Sequence, residues 1–575
     1  MKNNILRPII YIMLNLLYFR RAVNPIIILR HMWRIYTSKY VKLKGVGFLS
    51  RRNMQHLFSQ VPKTEIPRSR FNRSHGLKTT FNEGYLIPIL VDEILPGDTV
   101  NLGATLFTRM ATLMSPIMDN LYIDTFFFFV PERLVWENFQ RMCGEQDNPD
   151  DSTDFIFPTI TAPTGGWKPQ SLADYFGIPT NIENLEVRAE PFRCYNLIYN
   201  EWFRDENLQD SVAFTKADND DEKNYKLLRR GKRHDYFTSA LPWPQKGPGV
   251  ELPFGGTAPV ALSYPRDSEE YGVREFPTVN LVGTDVHRLG FYTSQQSTSA
   301  GWQQAESGLP LDHINPLVAD LSRATSVTIN QFREAFQIQK WYERAARGGT
   351  RYTEILRSFF GVVSPDARLQ RPEYLGGGSH RIDVSVVPQT SATNDISPQA
   401  NLAAFAVGAS KNGGFTKSFT EHGWLIGLVN VRADLTYQQG LNRMWSRSTK
   451  FDMYWPTFAH LGEQAILNKE IYAQGNAKDD EAFGYQERYA EYRYFPSMIT
   501  GKFRSTDPQP LDSWHLAQKF DSLPTLSSQF IEDNPPVNRV VAVTDEPHFL
   551  LDAWFDMNCV RPMPVYSVPG LVDHF

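Results

Sequence analysis

The sequence is poor in cysteine, and its three cysteines, Cys143, Cys194 and Cys559, are far apart. An odd number of distant cysteines gives neither a disulfide framework nor a paired Cys-x-x-Cys metal clip. We therefore expect the chain to fold with reduced thiols and without a structural metal.

Long apolar runs are also missing. Residues 8–19 form a mostly apolar run, but it stops at Arg20 and Arg21. A transmembrane helix needs about 20 apolar residues, and no small-x-small site follows to make the run a signal peptide. A membrane or secretion role for this segment is therefore disfavoured.

Catalytic and nucleotide-binding motifs are absent as well. There is no Walker A sequence, no GxGxxG after a strand, no GxSxG and no HExxH. The glycine-rich stretch at residues 408–418 lacks a lysine directly after its second glycine, and Gly376–Gly378 is typical of a flexible turn. The 12 histidines do not cluster at metal-ligand spacing. We predict no catalytic site, no metal and no cofactor.

The composition favours a β-rich protein. The chain has 37 glycines, 38 prolines and 13% aromatic residues, which suits short strands joined by long, ordered loops. Residues 85–94, 121–130, 380–387 and 424–434 are predicted strands. The continuous apolar run at 121–130 predicts a strand that is buried on both faces.

Three helices are predicted within this β pattern, at residues 132–145, 320–347 and 350–360. Apolar residues of the longest fall near one face, and Gly348–Gly349 provide its end. They are Leu321, Phe332, Phe336 and Trp341. We expect these helices to lie in long connections that pack against a β core.

The charge is unevenly distributed. The net charge is −4, but residues 1–53 carry eleven lysines and arginines and no acid. This leaves 48 lysines and arginines against 63 acids, a net charge of −15, for residues 54–575. Such an acidic body binds polyanions poorly. If it encloses nucleic acid, another molecule should supply most of the neutralising charge.

The basic, partly apolar residues 1–53 have three interpretations: a membrane or secretion signal, a basic arm that touches DNA, or translation upstream of a true start at Met54. We expect the third.

Residues 250–317 differ from their surroundings. They contain no lysine, and three arginines face eight acids. We interpret this segment as a surface insertion, because segments of this length without regular structure are usually functional or disordered.

A cationic segment near the start of the body is a candidate nucleic-acid contact. Its cations are Arg68, Arg70, Arg73 and Lys78, which surround Phe71 and His75. Cations beside an aromatic ring can hold a phosphate backbone while the ring stacks on a base. The alternative is an extended arm that is pinned to acids of its own or an adjacent subunit.

The tail at residues 547–575 also has two interpretations. It suits either contacts between subunits or closure of its own subunit's fold.

From Met54 onward the sequence resembles the major capsid proteins of gokushovirus-type microviruses. Eight collinear segments carry the resemblance. They are residues 73–85 (RSHGLKTTFNEGY), 92–99 (DEILPGDT), 118–131 (MDNLYIDTFFFFVP), 195–210 (YNLIYNEWFRDENLQD), 235–247 (DYFTSALPWPQKG), 346–374 (ARGGTRYTEILRSFFGVVSPDARLQRPEY), 451–475 (FDMYWPTFAHLGEQAILNKEIYAQG) and 561–575 (RPMPVYSVPGLVDHF).

The resemblance implies a mainly β fold for residues 54–575, a single eight-stranded antiparallel jelly roll with long loop insertions and several helices. It further implies a structural protein, with roughly sixty copies in a T = 1 icosahedral shell around circular single-stranded DNA. The virion would assemble in the host cytoplasm. Implied partners are a small basic DNA-binding protein, a pilot protein and a host receptor, which residues 250–317 would meet from a three-fold protrusion.

A different class remains open from the residues alone. Jelly rolls also occur in β-sandwich proteins that bind carbohydrate or process glycosides. Such a protein should gather carboxylates or metal ligands in a cleft and stay a monomer or small oligomer.

Overall fold

The computed structural model describes residues 66–250, 260–262, 289–291, 302–304, 317–319, 329–393 and 398–566. The chain divides into two units, residues 1–66 and 67–575. Of the first unit only Ile66 is described, so the predicted extension at 1–53 lies outside the described residues.

The described residues contain the following strands. They are β1 (Ser69–Asn72), β2 (His75–Phe81), β3 (Ile87–Ile94), β4 (Thr99–Met110), β5 (Leu121–Pro131), β6 (Thr159–Thr161), β7 (Glu186–Arg188), β8 (Val260–Leu262), β9 (Leu289–Phe291), β10 (Trp302–Gln304), β11 (Leu317–Ala319), β12 (Glu373–Pro388), β13 (Leu402–Ser418), β14 (Gly423–Ala433), β15 (Glu463–Leu467), β16 (Ala482–Glu487) and β17 (Phe549–Arg561).

The long strands form two antiparallel sheets. In the first, β1 and β2 are successive segments that both pair with β17, and the order continues through β4 to β13. The order of the second is β12, β5, β14 and β3. The end of β12 pairs with β13 and joins the two sheets. These eight strand positions make a jelly roll, which confirms the predicted fold.

The two inner strands of the second sheet, β5 and β14, are buried on both faces. Phe127 and Phe129 of β5 point into the core between the sheets, whereas Phe128 and Val130 point to the other side. There they pack with Phe192 and neighbouring residues in a second apolar cluster. This arrangement explains why residues 121–130 and 424–434 are almost continuously apolar, and it confirms both as strands.

The first sheet is buried on one face only. Along β4 and β17, buried and exposed residues alternate over most of each strand. The core side includes Leu106, Phe549 and Phe555, all nearly or fully buried. Because β17 lies between β2 and β4, residues 549–561 of the tail close the fold of their own subunit.

The described α-helices lie in the connections. They are α1 (Glu132–Val135), α2 (Phe139–Met142), α3 (Leu172–Tyr175), α4 (Glu190–Ile198), α5 (Ile329–Arg347), α6 (Tyr352–Ile355), α7 (Asp366–Leu369), α8 (Asn468–Ile471) and α9 (Ser528–Ile531). Single π-helical turns follow α4 and α6, at Tyr199–Phe203 and Leu356–Phe360. Short 3₁₀ helices occur at Glu222–Asn224, Arg443–Trp445, Lys450–Asp452, Pro456–Phe458, Ala477–Asp480, Ala490–Tyr492, Gly501–Phe503, Asp512–Trp514 and Val537–Arg539.

The helix predictions hold in part. The predicted helix at 132–145 is two short helices, because Trp136 adopts an extended conformation between them. The described part of the predicted helix at 320–347 is α5, and its predicted start lies outside the described residues. Phe332, Phe336 and Trp341 of α5 are more than half exposed, so its apolar residues do not pack against the β core as expected.

The prediction of a flexible turn at Gly376–Gly378 is wrong, because these glycines lie within β12. A Cβ atom added at Gly377 would come within 2.0 Å of the Thr125 carbonyl oxygen on β5. Glycine is therefore needed for close approach of two strands. The glycine-rich residues 408–418 likewise belong to a strand, β13.

The predicted insertion at 250–317 is mostly outside the described residues. Its described parts are short strands, which a wholly irregular insertion would lack. β9 pairs with β10, and β8 pairs with β11 so that Leu262 lies opposite Leu317. No helix in the described ranges is long and apolar enough to cross a membrane.

Substitution of Gly377 tests the close approach of β12 and β5. We expect Gly377→Ala to lower the free energy of unfolding by about 1–3 kcal/mol, because the added methyl group must displace backbone. The control is Gly103→Ala on the exposed side of β4, where the nearest atom to an added Cβ is 4.0 Å away. Urea unfolding of both variants measures the difference, and equal stabilities would refute the packing argument.

Candidate functional site

Three of the four predicted cations lie on the solvent-facing side of the first sheet. Arg68 donates hydrogen bonds to the Thr99 hydroxyl, at 2.9 Å, and to the Gly97 carbonyl. Arg70 donates to the side-chain oxygen of Asn558 at 2.9 Å. Lys78 forms a 3.4 Å ion pair with Asp552, and both side chains are largely exposed. The predicted arm is thus part of a sheet, and these three cations share one face.

Arg73 is placed differently. Both of its terminal nitrogens contact the Asp92 carboxylate of β3, whose side chain is only 11% exposed. This bidentate pair ties the turn between β1 and β2 to the second sheet. Within the cationic segment, Arg73 therefore has a structural partner in its own subunit, and the alternative of a pinned arm describes it well.

The same face carries residues that the sequence interpretation missed. We call the solvent-facing side of β1, β2, β4, β13 and β17 the open face. Trp554 and Phe107 project from it and are 54% and 47% exposed. The sequence signal for these strands is a partial alternation of apolar and polar residues along β4 and β17, which Phe107 and Trp554 themselves interrupt.

A buried acid cluster lies beside α1. One terminal nitrogen of Arg188 contacts Glu132 at 2.9 Å and Glu190 at 3.0 Å, and the other contacts Glu93 at 3.0 Å. Burial, followed by the charge of Glu190, raises the pKa of the Glu132 carboxyl to about 8. Glu132 is only 3% exposed and Glu190 is fully buried. Neither carboxylate is open to a substrate, so the cluster is best suited to hold the connection against the sheet.

A second buried network crosses the outer side of the second sheet. Arg230 and Arg432 donate to the same Asp124 oxygen, at 2.6 and 2.9 Å. Burial lowers the pKa of Arg230 to about 10 and raises the pKa of nearby Asp533 to about 7. Burial also lowers the pKa of Lys232 to about 8. Asp533 is 1% exposed, so these shifts reflect desolvation inside the fold.

A cleft of about 540 Å³ lies next to this network and is lined by aromatic and charged residues. Two of its acids, Glu206 and Glu354, pair with Arg351, and the third, Asp205, accepts hydrogen bonds from the backbone of Asn207 and Leu208. Nowhere in the described ranges do three or more His, Cys, Asp or Glu side chains gather as metal ligands would. The cleft thus lacks the free, convergent carboxylates that a glycoside-processing protein requires.

One exposed apolar surface lies in a segment rich in 3₁₀ turns. We call residues 441–461 the apolar segment. Eight of its large apolar side chains are 37–72% exposed. They are Leu441, Met444, Trp445, Phe451, Met453, Tyr454, Trp455 and Leu461. A concentration of exposed aromatic residues and methionines is typical of protein–protein interfaces.

Comparisons with known proteins identify the family of the chain. Residues 59–571 match the Phage_F family, described as "Capsid protein (F protein)". The chain is 52% identical over 538 residues to capsid protein VP1 of Bdellovibrio phage phiMH2K, a match that covers 92% of this chain and all of that protein. It is 45% identical to capsid protein VP1 of Chlamydia phage 1, with 90% and 98% covered. It is 39% identical to capsid protein VP1 of Spiroplasma virus 4, with 90% and 97% covered.

Proposed function

Because the chain belongs to the phage capsid protein (F protein) family, we propose that it is a major capsid protein whose copies, roughly sixty of them, form a T = 1 shell around circular single-stranded DNA. Its role is structural, and its side chains carry out no catalysis. The shell is part of the virion and assembles in the host cytoplasm.

The apolar segment is the observation that carries self-assembly. Monomeric soluble proteins rarely expose so many large apolar side chains together. Trp445 is 72% exposed, and rigid aromatic side chains bury a large area at a small entropic cost. A second copy of the chain is the occupant that a shell supplies, so the segment forms a contact between subunits.

A charge placed in this contact tests the proposal. We expect Trp445→Glu to leave the fold intact, since the side chain is exposed, and to prevent particle formation, because a buried unpaired carboxylate is costly at an interface. The control is Ile156→Glu, which changes an 85% exposed residue outside the apolar segment. Negative-stain microscopy should show particles for the wild type and the control. Particles from Trp445→Glu in normal yield would contradict the assignment of this contact.

Residues 250–317 are proposed to form a surface protrusion at the three-fold axes that meets the host receptor. Their surplus of acids disfavours a position against DNA. The antiparallel pair β8–β11 brings the two ends of the intervening segment side by side, with Leu262 opposite Leu317. A segment whose two ends are adjacent can change in length and sequence without disturbing the rest of the fold.

This geometry allows a clean deletion. Replacing residues 263–316 with a two-residue Asn-Gly turn keeps β8 and β11 paired, because this turn connects antiparallel strands. We expect particles of normal yield that no longer attach to host cells. Attachment is measured by co-sedimentation of particles with cells, and attachment equal to that of the wild type would exclude this receptor role.

DNA contact is proposed for the cationic segment, through Arg68, Arg70, Arg73 and Lys78. The body from residue 54 onward has a net charge of −15, so these few cations cannot neutralise a genome. A small basic DNA-binding protein is therefore proposed as a partner inside the shell, together with a pilot protein. Mass spectrometry of purified particles tests for both.

The cationic segment is best tested without Arg73, because loss of that residue would also leave buried Asp92 unpaired. We expect Arg68→Gln/Arg70→Gln to yield intact shells with less DNA, since two phosphate contacts are lost. Lys223→Gln/Lys226→Gln removes two exposed charges elsewhere and is the matched control. The ratio of absorbance at DNA and protein wavelengths measures packaging, and unchanged DNA content in the arginine variant would argue against the contact.

A further inference from the structure

The open face exposes aromatic rings at neighbouring positions of adjacent strands. Trp554 on β17 lies opposite Thr105 on β4, and Phe107 is the next residue of β4 on the same face. The two rings are thus diagonal neighbours, about 7–8 Å apart at their Cα atoms. Phe405 on β13 is a third exposed ring, at 41% exposure.

These rings have room on the side that faces solvent. A Cβ atom added at Gly76 would lie 3.5 Å from Cε3 of Trp554, so the indole lies across a strand position that has no side chain. None of the three rings contacts another aromatic ring in the described part of the chain. A shallow cavity of about 630 Å³ opens beside Phe107 and is also lined by Lys78, Arg109 and Leu550.

Two cations on the open face have no protein partner. Arg109 lies two residues beyond Phe107 on β4, and Lys411 on β13 lies opposite Thr105. Neither side chain makes a hydrogen bond or ion pair in the described ranges. The acids of the face are already engaged, because Asp552 pairs with Lys78 and Asp556 accepts a hydrogen bond from Ser74.

The buried arginines beside the cleft offer a useful contrast. Arg230, Arg432 and Arg351 are all paired with carboxylates of their own chain, so they have little charge left for a phosphate. In the apolar segment Arg443 and Arg447 pair with acids and Lys450 lies over the Phe451 ring. The open face differs, because the free cations Arg109 and Lys411 alternate with its rings. Protein interface cores are depleted of charged residues, and this alternation is what a nucleic-acid backbone with unpaired bases requires.

We infer that the open face is a stacking platform for single-stranded DNA, in which Trp554 and Phe107 stack on bases while Arg109 and Lys411 contact phosphates. The inference rests on the proposed enclosure of single-stranded DNA and specifies the surface that contacts it. Such binding is independent of base sequence, because every base offers a π face.

The test is a titration of the unassembled, full-length chain with a fluorescein-labelled oligothymidylate, followed by anisotropy. Trp554→Ala and Phe107→Ala should each raise Kd about tenfold, as expected for the loss of one base stack. Phe360→Ala, at an exposed phenylalanine away from the sheet, is the control and should bind as the wild type does. Arg109→Gln/Lys411→Gln should reduce the slope of log Kd against log salt by about 1.4, or 0.7 for each phosphate contact.

Particle formation by the same proteins separates this inference from the proposed function. Weaker DNA binding with normal particles supports the platform. Unchanged Kd in both ring variants, or no binding by the wild type, overturns the platform while wild-type particles leave the capsid role intact. Loss of particles with unchanged Kd also overturns it, since the face would then be a contact between subunits.

Discussion

The fold depends on burying β5 and β14 from both sides. The phenylalanines of β5 fill the core between the sheets with one face, and with the other they anchor the layer that contains α4. Polar backbone groups in such a strand must be satisfied by neighbouring strands, and β12 and β14 provide them. The close approach of Gly377 to Thr125 follows from this requirement.

Two-sided burial also explains which parts of the fold could be predicted from the sequence. A strand that is buried on both faces is continuously apolar, so β5 and β14 stand out. The strands of the first sheet, whose outer side is the open face, have a weaker sequence pattern. In β17, exposed Leu550 and Trp554 interrupt the expected alternation of apolar and polar residues, so the sequence indicates a tail there and not a strand.

The candidate site, too, could be predicted from the sequence only in part. Arg68, Arg70 and Lys78 are close in sequence, and their local clustering was enough to predict a cationic surface. Trp554 reaches this surface only through the register of β2 and β17, in which it lies opposite Gly76. No local pattern contains that long-range pairing. Arg73 also looks equivalent to its neighbours until the fold places it against Asp92.

The two sheets therefore differ in whether their charged groups are paired. Buried charged groups on the second sheet are paired within the chain, as in the Asp124 network, because an unpaired buried charge would destabilise the subunit. On the open face a lysine or arginine remains solvated and can stay unpaired at little cost. A chain with an acidic body can thus keep a few cations available where the fold exposes them. The apolar segment has a different role. Subunits associate through surfaces whose transfer out of water is favourable, and apolar side chains provide such a surface.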